Sequence, residues 1–406
     1  MVTFDTGNTA FMLFSTSLVM LMTPGLAFFY GGLVGRKNVL AIMIQSFVSM
    51  GWTTLLWYLF GYSLCFSGDV GGIIGNLDNA FMRGISINSV FSINNNIPLL
   101  VFVAYQMMFA IITPALITGA FANRIKFKSY LIFLTFWMIL VYFPICHMTW
   151  SPSGLFYKWG VLDFAGGTVV HCTAGFAALA SVLFVGKRKF FDKGPHSIPL
   201  IALGTGLLWF GWYGFNAGSE LRVDSITGLA FLNTDIAASV AAITWLFLAW
   251  IFEKKPKFVG LLTGAVAGLV AVTPAAGYVS LSSAVIIGMV ASIICYMAVA
   301  LKNKLKLDDA LDVVGVHGVG GFVGVIMTGL LASNAINTSA KNGLFMGNTP
   351  GFFGKQLSAG LITVIYAFMI SYALLWVINK FTPVKATEDE EEIGLDSSIH
   401  GEEAYI

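Results

Sequence analysis

Asp163-Phe164-Ala165-Gly166-Gly167-Thr168-Val169-Val170-His171 sets two ionisable side chains in an otherwise apolar or small-residue stretch. Asp309-Ala310-Leu311-Asp312-Val313-Val314-Gly315-Val316-His317 repeats the arrangement later in the chain. In each, an aspartate precedes a histidine by eight positions. Ionisable groups within apolar spans are rare and mark functional sites. Eight residues make a little over two helical turns, which predicts about 12 Å along the axis between acid and imidazole. Two matched copies predict a duplicated pore lining.

The composition around these stretches is that of a membrane protein. Hydrophobic residues make up 57% and charged residues 10% of the chain, with a mean hydropathy of +0.83. Soluble domains are about 25% charged. The 44 glycines and 35 phenylalanines suit closely packed spanning helices. A net charge of +2 gives no reason to expect a nucleic-acid partner. Cys65, Cys146, Cys172 and Cys295 lie in apolar surroundings with no C-x-x-C pair, and read as membrane-core residues rather than a disulfide or metal set. There is no P-loop, dinucleotide fingerprint, nucleophile elbow or H-E-x-x-H. These features predict a non-enzyme without cofactor or metal, and argue against ATP-driven transport by this chain alone.

Apolar stretches long enough to cross a bilayer fall near 9–33, 39–66, 98–121, 129–149, 162–185, 198–218, 226–252, 258–277, 281–301, 310–332 and 356–379. The first has no basic flank before it and is too long for a secretory signal, so it reads as a retained span. The expected fold is thus an all-α polytopic membrane protein of eleven transmembrane helices. Of the 22 basic residues, seventeen fall in one set of loops, including Arg36, Lys37, Arg124, Lys126, Lys128, Lys187 to Lys193, Lys254 to Lys257, Lys302 to Lys306, Lys380 and Lys385. The opposite loops hold Arg83, Lys158, Arg222, Lys341 and Lys355. This asymmetry predicts an outside N-terminus and a cytoplasmic C-terminus in the cell membrane.

Eleven spans divide into two five-helix repeats, about 9–185 and 198–332, plus a last helix at 356–379. An odd-numbered repeat must insert its second copy inverted. Phe28-Phe29-Tyr30-Gly31-Gly32 in span one and Trp212-Tyr213-Gly214-Phe215 in span six are weak matches, and the two Asp-to-His intervals run in opposite directions. Coincidence among glycine-rich helices is the alternative. The membrane part then covers 1–385. A tail at 386–406 opens with the acidic run Glu388 to Glu392, and its later glycine and small apolar positions suggest docking against the cytoplasmic loops.

Several of these stretches together resemble the ammonium transporter (Amt/Mep/Rh) family. They are Asp163 to His171 running on to Gly186-Lys187-Arg188; Gly31-Gly32-Leu33-Val34; Gly211-Trp212-Tyr213-Gly214-Phe215-Asn216-Ala217-Gly218-Ser219; Val272-Thr273-Pro274-Ala275; and Asp312 to Gly318. Gly394-Leu395-Asp396 with His400-Gly401-Glu402 in the tail adds to them. The likeness runs over the whole chain and is nearer to the prokaryotic Amt type. Three positions depart from it: Asn123 stands where an acid is usual, Asp235 where a neutral residue is usual, and Lys385 near a common arginine.

The resemblance implies recruitment of ammonium, with methylammonium as an analogue, at an outer vestibule of Trp150, Phe109 and Ser219. It implies a gate of Phe109 over Phe215 and a pore lined by His171 and His317. It also implies a homotrimer and a PII-type signal protein at the cytoplasmic mouth, for which Lys187, Arg188, Lys189 and the tail are candidate contacts. Neutral imidazoles offer one donor and one acceptor each, and the valines around both rings favour the neutral form. Such a lining suits a small neutral hydride such as NH3. Two core histidines satisfied by backbone carbonyls, or a bis-histidine haem, are the rival readings. Asp163 reads as a helix cap, as an electrostatic aid to cation binding, or as both. Asp309 and Asp312 read as its inner-side counterparts, holding the lower mouth or the C-terminal tail, and Asp235 as a first-turn acid of span seven rather than a proton carrier. An ammonium sensor acting through a partner is the rival from another functional class.

Overall fold

The computed structural model describes residues 4–91, 96–191 and 194–405 of the 406-residue chain; Lys193 and Ile406 lie outside the described residues. Ten helices among the described residues are long and apolar enough to cross a membrane. They are α1 (Thr6–Leu33), α2 (Arg36–Phe66), α3 (Leu99–Phe121), α4 (Phe127–Trp159), α5 (Gly167–Val185), α6 (Ile198–Glu220) and α7 (Ser225–Glu253), then α9 (Leu281–Lys304), α10 (Val314–Leu331) and α11 (Phe352–Phe381). The shorter apolar helix α8 (Phe258–Val272) fills the place of the eighth stretch. The chain is therefore a helical multi-pass membrane protein. Helices suit this setting because each satisfies its own backbone hydrogen bonds where no water is present.

Helix starts follow capping chemistry. The Asp5 carboxylate accepts from Asn8 N at 2.7 Å and opens α1. Asp224 and Thr227 form a capping box that opens α7, and Ser280 caps α9. Because α7 begins at Ser225, Asp235 lies nearly three turns inside it. The first-turn reading of Asp235 is wrong; its carboxylate accepts from Tyr213 Oη at 2.6 Å and Trp209 Nε1 at 3.2 Å.

Helices α3, α5 and α10 are the most enclosed, whereas α7, α9 and α11 expose apolar faces. Helix α1 packs along α6, α7 along α8 and α9, and α11 against α5. One small sheet departs from the all-helical expectation: β1 (Val90–Phe91) pairs antiparallel with β2 (Ile97–Pro98) in the α2–α3 connection. There Phe91 stacks on Phe102 at 3.7 Å, which anchors the connection to α3.

Helices α5 and α10 start later than expected, at Gly167 and Val314 rather than near 162 and 310. Gly166 takes φ +121° and Asp312 φ +58°, so each chain bends sharply just before its helix. The two acids therefore precede their helices, and the eight-residue intervals are not two continuous helical turns. A further helix, α12 (Glu388–Ile393), lies in the tail and opens on a capping box of Thr387 and Glu390.

Candidate functional site

Both histidines sit in π-helical turns, Gly167–Cys172 and Val314–Val319, at the starts of α5 and α10. Such turns, with one extra residue per hydrogen bond, recur at functional sites. The two helices cross where Gly175 faces Gly318; a Cβ on Gly175 would lie 2.1 Å from the Gly318 Cα. That contact brings His171 Nδ1 to 3.4 Å from His317 Nδ1, with the rings 28° apart in tilt. One nitrogen of such a pair donates and the other accepts. Trp212 backs His171 at 5.5 Å between ring centroids and is held by its indole N–H on Thr273 Oγ1 at 2.9 Å. His171 Nε2 is buried with no protein partner among the described residues.

The histidines line a narrow cavity of about 10 Å³ whose other walls include Leu26, Ile112, Val170, Leu208 and Val266. That is about the least space that holds one water-sized molecule. At one end lies an open cavity of about 780 Å³ lined by Phe109, Trp150, Asp163 and Ser219. Phe109 and Phe215 separate the two spaces, with ring centroids 4.4 Å apart. Phe109 also meets Trp150 edge-on at 5.5 Å. At the other end a cavity of about 210 Å³ is lined by His317, Asp312, Arg188 and Tyr30. The residues expected for recruiting, gating and lining thus fall in order along one path.

Ser219 donates its hydroxyl hydrogen to the Phe215 carbonyl at 2.8 Å, which leaves its oxygen free to accept. Tyr105 holds this turn: its hydroxyl lies 2.9 Å from the carbonyls of both Gly214 and Phe215, and 3.3 Å from Ser219 Oγ. Tyr105 went unread in the sequence because only tertiary packing brings it to α6. Glu220, Gln106 and Tyr278 also line the large cavity and were missed. Glu220 pairs with Arg222 at 2.9 Å. An acid directly after Ser219 was the available signal.

Asp163 is a cap. One carboxylate oxygen accepts from Gly166 N at 2.8 Å and Gly167 N at 2.6 Å, the other from Thr168 N at 2.8 Å and Val169 N at 3.2 Å. Burial raises its proton affinity, and these N–H donors oppose that rise. Asp309 is less well supplied: one oxygen accepts from Val314 N at 2.8 Å, and Oδ1 has no partner among the described residues. Burial and the nearby Asp312 charge push its carboxyl up to about 6, against the pull of Lys302. Lys302 bridges the Asp309 carbonyl at 3.0 Å and the Asp312 carboxylate.

The tail packs on the basic end. Asp396 accepts from Leu40 N at 3.0 Å and Ala41 N at 2.7 Å near the start of α2. Lys126 pairs with Glu390 and Lys189 with Glu388, both at 3.0 Å, and Lys385 reaches Glu391 at 3.7 Å. Lys385 also donates to the Lys187 carbonyl at 3.0 Å. Arg188 grips Asp308 through Nη2 at 2.7 Å and Nε at 3.1 Å. Arg124 is fully buried, donating to the carbonyls of Gly186 and Asp308 and pairing with the Asp308 carboxylate at 3.4 Å. Burial pulls its guanidinium down to about 10, against Asp308. The candidate partner contacts Arg188 and Lys189 are thus engaged by this chain's own carboxylates.

A family model described as Ammonium Transporter Family matches residues 10–405. An ammonium transporter of Bacillus subtilis (strain 168) is 43% identical over 401 residues, 98% of each chain. The crystal structure of Candida albicans Mep2 superposes with a TM-score of 0.88 at 36% identity, over 95% of this chain and 88% of that one. A sensor Amt protein of known structure is also similar, at TM-score 0.87 and 29% identity over 96% of this chain and 97% of its own.

Proposed function

The chain belongs to the ammonium transporter family, and from that premise we propose that it carries ammonium nitrogen across the membrane as NH3. Ammonium is recruited among Trp150, Phe109 and Ser219. It is deprotonated near Phe109 and Phe215, and NH3 passes along His171 and His317. The observation that carries this reading is the imidazole pair at 3.4 Å inside an apolar cavity of about 10 Å³.

The energetics favour loss of the proton before that cavity. Cation–π contact with desolvated aromatic faces contributes about 2 kcal/mol. Moving a bare monovalent ion into low dielectric costs on the order of 20 kcal/mol before relaxation. The first is far too small to offset the second. Potassium, of similar charge, has no proton to leave behind.

The same reading takes the basic end as cytoplasmic, with the N-terminus outside in the cell membrane. It treats residues 1–385 as the transport unit, built of two inverted five-helix repeats and a last helix, with 386–406 as a cytoplasmic tail. Asp163 and Asp309, each placed before a π-helical turn that holds a histidine, support the repeats. A homotrimer accounts for Asp235, a half-buried acid well inside a span, because a second copy shields it from lipid. A PII-type protein at the inner mouths is the proposed regulator.

Likeness to a sensor Amt protein favours one rival, in which binding rather than flux is the output. Uptake and current in proteoliposomes under ammonium gradients at several pH values separate the two. Flux of ammonium and methylammonium supports transport, and a protein that binds a partner but moves neither supports sensing.

A further inference from the structure

Three charged side chains meet where α6 ends and the chain turns toward α7: Glu220, Arg222 and Asp224. Leu221 between the first two takes φ +61°, a left-handed conformation that leucine rarely adopts. Leu221 N donates to the Gly218 carbonyl at 2.9 Å and Thr227 Oγ1 to the Arg222 carbonyl at 2.6 Å, which holds the turn. Strain of this kind collects at functional sites. Its result here is that Ser219, Glu220 and Arg222 all line the cavity of about 780 Å³.

The charges in this cluster do not balance. Glu220 Oε1 accepts from Arg222 Nη2 at 2.9 Å and Nε at 3.1 Å. The same guanidinium reaches Asp224 Oδ2 through Nε at 2.7 Å. A single positive charge thus faces two carboxylates. Asp224 also caps α7, its other oxygen accepting from Ile226 N at 2.8 Å. Glu220 instead lies in the cavity wall, its side chain 10% exposed against 38% for Arg222. Asp163, the other acid of this lining, gives its oxygens to four backbone N–H groups.

We propose that Glu220, opposed by Arg222, sets how strongly this cavity draws ammonium in before the ion reaches Ser219. This rests on the reading of the cavity as the recruiting mouth. Aromatic faces and a hydroxyl act at contact, whereas a carboxylate acts at longer range and concentrates cations in a concave site. Arg222 limits that pull, so the cation is held loosely enough to move on. The field draws ammonium and potassium alike, and selection stays with the passage beyond.

The test is ammonium uptake by the full-length protein in proteoliposomes at mildly alkaline pH, in low and in high salt. Glu220→Gln keeps the shape and an acceptor for Arg222 but loses the charge. At low salt it is expected to raise the apparent KM about fivefold, and to change maximal flux by less. Arg222→Gln is expected to lower the apparent KM by a similar factor. Glu220→Asp, which keeps the charge, is expected to stay within about twofold of the wild type. At about 1 M salt, where charges are screened beyond about 3 Å, all variants are expected to converge on the wild type. An Arg222→Gln variant that fails to move opposite to Glu220→Gln overturns the proposal and leaves transport standing. So does a Glu220→Asp variant as weak as Glu220→Gln, or a gap that persists undiminished in high salt. Absence of flux in the wild type overturns the transport reading, and this proposal with it.

Discussion

Trp150 donates its indole N–H to the main-chain carbonyl of Asp163 at 2.9 Å. The aromatic wall of the large cavity is thereby fixed to the residue whose carboxylate caps the His171 helix. The proposed cation site and the histidine turn are thus joined, and disturbance of the cap is expected to reach both.

Asp163→Ala removes the acceptor of four buried backbone N–H groups. Unsatisfied buried donors cost about 1–3 kcal/mol each, so a marked drop in thermal unfolding temperature in detergent is expected. Asp163→Asn keeps one acceptor oxygen and is expected to lose less. Unfolding of Asp163→Ala at the wild-type temperature would remove the capping role.

Tyr105→Phe deletes the hydroxyl that steadies the Phe215–Ser219 turn. The loss of about 1 kcal/mol is expected to weaken apparent ammonium affinity severalfold while leaving maximal flux close to wild type, as does Ser219→Ala. Concentration dependence of uptake separates the two quantities. A fall in maximal flux with unchanged affinity contradicts the recruiting role.

Asp309 gives a pH dependence with a definite sign. Its carboxyl titrates near 6 in the folded chain against an ordinary 3.8. The folded state therefore holds more protons than the unfolded one between these values, and stability falls as pH rises through that window. The loss is on the order of 3 kcal/mol. Asp309→Asn is expected to flatten stability between pH 4 and pH 6, read as thermal unfolding against pH. An unchanged slope in the variant places the titration elsewhere.

Asp396→Ala removes the acceptor for Leu40 and Ala41 N–H and is expected to loosen the tail. Faster amide exchange over 388–400 than in the wild type is the readout. Equal exchange shows that the lysine pairs alone hold the tail.

The spans and the twin histidines were legible because both depend on local composition: long apolar runs, and imidazoles standing out within them. The sharp bends before α5 and α10 were not. They turn on the backbone of Gly166 and Asp312, and an even Asp-to-His interval read as two helical turns when it is a bend followed by a π-helical turn. Asp235 was misread as a first-turn acid although the apolar stretch from 226 already set it more than two turns in; its real anchor, Tyr213 and Trp209, comes from another helix. Tyr105 escaped notice since it meets the Phe215–Ser219 turn only through packing of α3 on α6, and Gln106 reaches the cavity in the same way, whereas Glu220 directly follows Ser219 and was overlooked. The docked tail was foreseen in outline, but Asp396 joins residues more than 350 positions apart.

Loss of the proton before the histidines is tested most directly by flux in proteoliposomes under matched ammonium and potassium gradients. Measurements on the wild type and on His171→Ala belong side by side. The wild type is expected to move ammonium nitrogen and no potassium, and His171→Ala to lose flux or that discrimination. Potassium crossing the wild type as readily as ammonium, or a His171→Ala variant unchanged in both respects, would contradict the mechanism.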